Sequence, residues 1–139
     1  MRVALLIAVL VAAVGYGAGD SAPAAGSSGA TELKVTYWSQ GRTAGAAQKW
    51  TLRCGPAGGT LPGSASACRK LGAMQSPFAP IRRDVMCTDQ YGGPQAALIT
   101  GTFRGRTVWA LLQNRNGCEI SRFKRLAFLV PAFGAGVDS

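Results

Sequence analysis

Four cysteines behind an apolar leader do most to limit what this chain can fold into: Cys54, Cys68, Cys87 and Cys118. Met1-Arg2 carry a positive charge, an apolar run fills residues 3–14, and no further charge occurs until Asp20. A basic start, about 7–15 apolar residues and then small residues is the pattern of a cleaved secretory signal. A membrane-spanning helix needs about 20 apolar residues, and Gly15, Gly17 and Gly19 interrupt the run first. The expected signal peptide is 1–24, cleaved after Ala24 with Ala22 at minus three; Ala18 is the alternative. Export brings the thiols into an oxidising compartment, where four cysteines make two disulfides. Three pairings are open from the order alone. Pairing neighbours closes loops of about 15 and 30 residues, each contributing about 3 kcal/mol by the chain-entropy estimate. No C-x-x-C motif is present, so structural bridges are favoured over metal or redox use.

Removing the leader leaves about 115 residues, enough for one domain. Residues 20–30 are mostly Ala, Gly, Ser and Pro, with no large side chain to bury. The expected division is a flexible arm at 25–30 and a folded domain over 31–139.

What the chain lacks narrows its chemistry. It has no histidine, which removes the designs in which imidazole takes a nucleophile's proton and the common zinc sites. Its six carboxylates include one close pair, Asp84 and Asp89, which flanks a cysteine on a basic stretch and makes a poor glycosidase pair. No phosphate-binding glycine loop follows a strand; Gly55, Gly58, Gly59 and Gly63 share a loop with Pro56 and Pro62. The expectation is a non-enzyme with no metal and no cofactor.

Alternation marks the strands. Leu33, Val35 and Tyr37 alternate with Lys34, Thr36 and Trp38, and Trp50, Leu52 and Cys54 alternate with Lys49, Thr51 and Arg53. Residues 96–103 and 107–112 are β-rich runs joined by Arg104-Gly105-Arg106, a hairpin signal. Ser66 is placed as the cap of a short helix carrying Ala67, Leu71 and Met74 on one face, with Pro77 beyond its end. Asn116-Gly117 reads as a turn, residues 118–124 as a second short helix, and residues 126–130 as a closing strand before Pro131. The fold class is α+β: an antiparallel sheet of about five strands with two short helices and two disulfides.

The net charge of +9 and pI near 10.2 raise the question of polyanion partners. The basic residues are scattered, as in Arg53, Arg69-Lys70, Arg82-Arg83, Arg104, Arg106, Arg122 and Lys124-Arg125. No block of five occurs and no nucleic-acid motif accompanies them. A solvated basic surface is the plainer reading, with no nucleic-acid partner and no membrane in the mature form. An exported module for cell-wall or nucleic-acid polyanions is the alternative, and a stable fold kept for protein contact is another.

Residues 86–94 fit no helix or strand pattern, and it is here that a family enters. Thr51-Leu52-Arg53-Cys54, Pro56, Gly59-Thr60, Ala67-Cys68 and Leu71 are similar to the first half of the subtilisin inhibitor-like proteins. Asp84-Val85-Met86-Cys87, Tyr91, the Gly105 hairpin, Cys118-Glu119 and Phe133 resemble the second half. The resemblance runs from about Glu32 to Phe133. It implies pairing of Cys54 with Cys68 and of Cys87 with Cys118, and a secreted, extracellular serine-protease inhibitor that offers an exposed loop as if it were substrate. The scissile bond would be Asp89–Gln90. Asp89 would enter the primary pocket, Thr88, Cys87 and Met86 the next three subsites, and Gln90 and Tyr91 would lie beyond the bond. Familiar members often carry Met or Lys where this chain has Asp89, so the implied partner is a subtilisin-like or an acid-specific serine protease. One extra residue near Gly92-Gly93 bears on the loop's exit. The resemblance further implies a homodimer through an apolar sheet face, and the alternation in residues 96–112, with Trp109 among it, serves that or core packing equally.

Overall fold

The computed structural model describes residues 29–134. The expected signal peptide 1–24 and most of the expected arm lie outside the described residues. Four strands form one antiparallel sheet: β1 (Thr31–Trp38), β2 (Gln48–Cys54), β3 (Ala96–Phe103) and β4 (Arg106–Leu112), in the order β2-β1-β3-β4. Helices α1 (Ser64–Ala73) and α2 (Gly117–Arg125) follow β2 and β4 and pack against them. A 3-10 turn at Ala127–Leu129 and a single turn α3 (Pro131–Gly134) end the described chain.

The sheet has one dry face, and the alternation of β1 shows why. Leu33, Val35 and Tyr37 are buried while Glu32 and Lys34 are exposed, as a period of two requires. In register across the sheet, Trp50, Val35, Ile99 and Ala110 form one row beneath the helices. Leu71 of α1 and Phe123 of α2 close the core from above with Leu126, Leu129 and Val130. Phe123 stacks on Phe133 at 4.4 Å between ring centres. The disulfide Cys54–Cys68, with Cα atoms 5.6 Å apart, ties the end of β2 to α1.

The hairpin expected at Arg104-Gly105-Arg106 is a two-residue turn, Arg104-Gly105, with Arg106 already in β4; both turn residues have positive φ, 49° and 76°, the geometry that matches the strands' own twist. Glycine adopts it freely; an arginine does not. Arg104 is held there by its guanidinium, which donates to the carbonyls of Gly72 (2.9 Å) and Gln75 (3.3 Å) at the C-terminal end of α1. One side chain therefore caps a helix and pins a hairpin, with its charge at the negative end of the helix dipole.

Three expectations are corrected. The sheet has four strands, not five, because residues 126–130 do not form a strand. Leu126 continues from α2 through its N–H to the carbonyls of Arg122 and Phe123, and Leu129 and Val130 bond back to Leu126 and Ala127. Its leucines are buried, but a short apolar run has no period to separate a strand from a helical turn. The first helix starts at Ser64, two residues before Ser66, behind Gly63 in left-handed conformation with no side-chain cap. Asn116 is a helix cap and not a plain turn.

Candidate functional site

Between α1 and β3 the chain runs for residues 74–95 without regular structure. Its middle stands clear of the body. Met86 is 96% exposed and Tyr91 67% exposed. Thr88, Asp89 and Gln90 are exposed, and Cys87 is half-buried. Asp89 makes no ion pair or hydrogen bond among the described residues; the two ion pairs there join Arg82 to Asp84 and Arg115 to Glu119.

An exposed stretch of this length would be mobile if left alone, but three ties hold it. The disulfide Cys87–Cys118, with Cα atoms 5.3 Å apart, fixes it to the start of α2. The Gly117 N–H donates to the Thr88 carbonyl at 3.0 Å, and the Gly92 N–H donates to the Asn114 carbonyl at 2.7 Å. Only residues 89–91 lie between these two hydrogen bonds. The ties on both sides of that arch come from one short segment, residues 114–118.

That segment is itself locked. Asn116 caps α2, its side-chain oxygen accepting from the Glu119 N–H at 3.0 Å. Glu119 reaches back to accept from the Arg115 N–H at 3.2 Å and from the Arg115 guanidinium at 3.2 and 3.3 Å. This is close to the reciprocal cap that an Asn-x-x-Glu spacing encodes. The hydrogen bond to Glu119, reinforced by the carboxylate's charge, raises Arg115 above its ordinary value. Two glycines lie where neighbouring side chains come close. A Cβ on Gly117 would sit 2.1 Å from Thr88 Oγ1, and one on Gly92 2.9 Å from Ile120 Cδ1 and Cγ1. Beside them lies Asn114, one of two buried polar residues among the described residues, with its Nδ2 3.4 Å from Gln95 Oε1.

Residues 86–91, singled out from the sequence, thus form one continuous exposed loop. The sequence reading missed its seat, Asn114, Gly117 and Ile120, and took Asn116-Gly117 as a turn. Asn116 with Glu119 three residues on is the signal that reveals the cap; the main-chain bonds from Gly92 and Gly117 leave no side-chain signature. No group of three or more His, Cys, Asp or Glu that could hold a metal ion occurs among the described residues.

The structure is thus a small α+β scaffold with one exposed loop clamped at both ends. The family model for subtilisin inhibitor-like proteins matches residues 29–115, and the chain belongs to the subtilisin inhibitor-like family, a family of inhibitors and not of enzymes. The matched span includes all four strands and residues 86–91. No curated protein matches the chain.

Proposed function

We propose that the protein is a secreted inhibitor of serine proteases that presents residues 86–91 as a substrate-like loop, with Asp89–Gln90 as the scissile bond. The observation that carries the reading is the arch at 89–91, tied on both sides to residues 114–118. Met86, Thr88 and Asp89 would extend along the enzyme's cleft, with main-chain hydrogen bonds supplying affinity and alternate side chains specificity.

A loop held in its bound shape loses little entropy on association, which raises affinity without new contacts. The same ties would oppose hydrolysis. After cleavage of Asp89–Gln90, the acyl side would stay fixed through the Thr88 carbonyl and Cys87, and the new amine through Gly92. The amine would then remain beside the acyl group, at the high effective concentration that favours resealing the bond. The inhibitor itself contributes no proton-transferring group; the protease supplies the chemistry.

Asp89 sets the target. Burying an unpaired carboxylate in an apolar primary pocket costs several kcal/mol, and about 4 kcal/mol weakens inhibition roughly a thousandfold. The exposed, unpaired Asp89 suits a protease whose pocket offers a cation or hydrogen-bond donors. The test is the inhibition constant of the mature protein and of Asp89→Met against a broad subtilisin and an acid-specific serine endopeptidase. Wild type should prefer the second enzyme, and Asp89→Met should gain a hundredfold or more on the first, on the scale of about 1.4 kcal/mol per decade. Absence of inhibition by either form of either enzyme rejects the reading, and polyanion binding with steep salt dependence then comes first.

A homodimer is a second part of the proposal, and the sheet's outer face favours it. In register across that face lie Lys34, Thr100 and Trp109 in one row and Thr36, Leu98 and Leu111 in the next. Trp109 is 65% exposed there, a large aromatic with no intramolecular reason to face water. Sedimentation of wild type against Trp109→Lys tests it: a dimer that the charge converts to monomer supports the face, and a monomeric wild type rejects it.

A further inference from the structure

Beside the start of the loop lies a cavity of about 470 Å³, between residues 76–85 and α2. Its lining includes Arg82, Arg122, Arg125 and Ser121, and no carboxylate. Arg82 is partly offset by Asp84, its exposed ion-pair partner. Arg125 has no ion pair or hydrogen bond from its side chain among the described residues. Arg122 spends its terminal nitrogens on the carbonyls of Leu111 (3.1 Å) and Phe78 (3.2 Å), and its Nε is buried without a partner. Burial, and then the charge of Arg125, lower Arg122 from its ordinary value, with Glu119 acting the other way. The cavity therefore has an apolar wall of Ala79, Pro80, Ile81 and Val85 and three arginines at its edge, of which Arg125 is the one with no partner among the described residues.

Its position gives that charge a use. Val85, one residue before Met86, and Cys118, the disulfide partner of Cys87, both line it. A protease seated on residues 86–89 would abut the cavity at the non-primed end of its cleft. We propose that this arginine cavity is a second docking site, which takes an acidic side chain from the rim of the bound protease. Arg82 and Arg122 have their forks committed, whereas Arg125 is free to bind a carboxylate through two charge-assisted hydrogen bonds, and charges bordering an interface act mainly on the rate of encounter. The site would thus select among proteases by the charge of their rims, independently of what fills the primary pocket. The inference rests on the reactive-loop reading, and the experiment separates the two.

The variants are Arg82→Glu with Arg125→Glu together, and Arg125→Gln alone. Arg122 is left in place because it holds two main-chain carbonyls. The probe is a subtilisin-type protease of acidic net charge, with association rates measured at low and high salt. Thermal unfolding is followed in parallel to confirm folded variants. The double reversal should associate about tenfold more slowly at low salt, the gap should close at high salt, and Arg125→Gln should show a smaller slowing in the same direction. Unchanged association by both variants, with wild type still inhibiting, overturns the cavity and leaves the loop reading intact. No inhibition by wild type or by Asp89→Met overturns both. Binding of polyphosphate that the reversal abolishes, with protease association unaltered, also overturns the proposal by assigning the cavity to a different anion.

Discussion

The β1–β3 centre of the sheet and the loop at 86–91 are equally fixed in space, but by opposite means. Val35 and Ile99 face each other in the register of the two strands, and both are fully buried. Many small contacts hold them, so that no one of them is decisive. The loop buries almost nothing, and a disulfide and two main-chain hydrogen bonds do the work. A structure held by bulk burial fails gradually as packing is lost. One held by three ties loses its shape when a single tie goes, while the body beneath remains folded. The two regions should therefore separate in inhibition: a core change lowers stability and leaves inhibition intact, whereas the loss of a loop tie removes inhibition whatever it does to stability.

The largest effect on stability should come from Ile99→Ala. Ile99 is fully buried, and deleting such a side chain costs about 2–5 kcal/mol through lost transfer energy and the cavity left behind. Chemical denaturation should show that loss, while the inhibition constant of the remaining folded protein stays within a fewfold of wild type. A hundredfold loss of inhibition in folded Ile99→Ala protein would break the comparison. Next comes Cys87→Ser with Cys118→Ser. Opening a loop of sequence separation 31 should cost about 3–4 kcal/mol of stability. Unlike the core variant, it should also turn the inhibitor toward a substrate, cleaved at Asp89–Gln90 and not resealed. Mass spectrometry after incubation with a serine protease would show an intact chain for wild type and accumulating fragments for the double variant.

Gly117→Ala sharpens the contrast further. The added Cβ would meet Thr88 Oγ1, so the Thr88 side chain must turn or the loop must move, while the core is untouched. We expect inhibition to weaken by about tenfold, the equivalent of about 1.4 kcal/mol, with little change in the unfolding midpoint. Thr88→Ala in the same chain removes the obstructing hydroxyl and should restore part of the loss, which a general destabilisation of α2 would not allow.

This division also explains what the sequence made legible. The period of two in β1 and the Arg104-Gly105 turn are local signals, and the buried face of β1 and the β3–β4 hairpin follow from them. Residues 126–130 misled because Leu126, Leu129 and Val130 are buried in either conformation, and apolarity reports burial without naming the geometry. At the loop, residues 86–91 stood out by the absence of any pattern, together with the resemblance their neighbours carry. Their seat did not stand out. Gly92 and Gly117 bond through main-chain N–H groups to residues 22 and 29 positions away, and such bonds depend on the fold already being in place. The Asn116–Glu119 cap was readable, since its spacing is local.

The smallest effect concerns the core alone, through pH. Tyr37 is 4% exposed in β1, and desolvation raises its phenol above the ordinary value of 10.0, because burial disfavours the charged form. In the unfolded chain the phenol ionises near that ordinary value, so above it the unfolded state binds fewer protons than the folded one. By linkage, stability then falls as pH rises. The contribution of Tyr37 should be complete below pH 10.0 and disappear as pH climbs through the higher folded value. Denaturation curves on either side of that pH should show wild type losing stability, and Tyr37→Phe, which cannot ionise, losing less. Equal slopes in the two proteins would remove Tyr37 as the cause. The loop offers no counterpart to this test, since its tyrosine, Tyr91, is two-thirds exposed to water and buries no phenol in the fold.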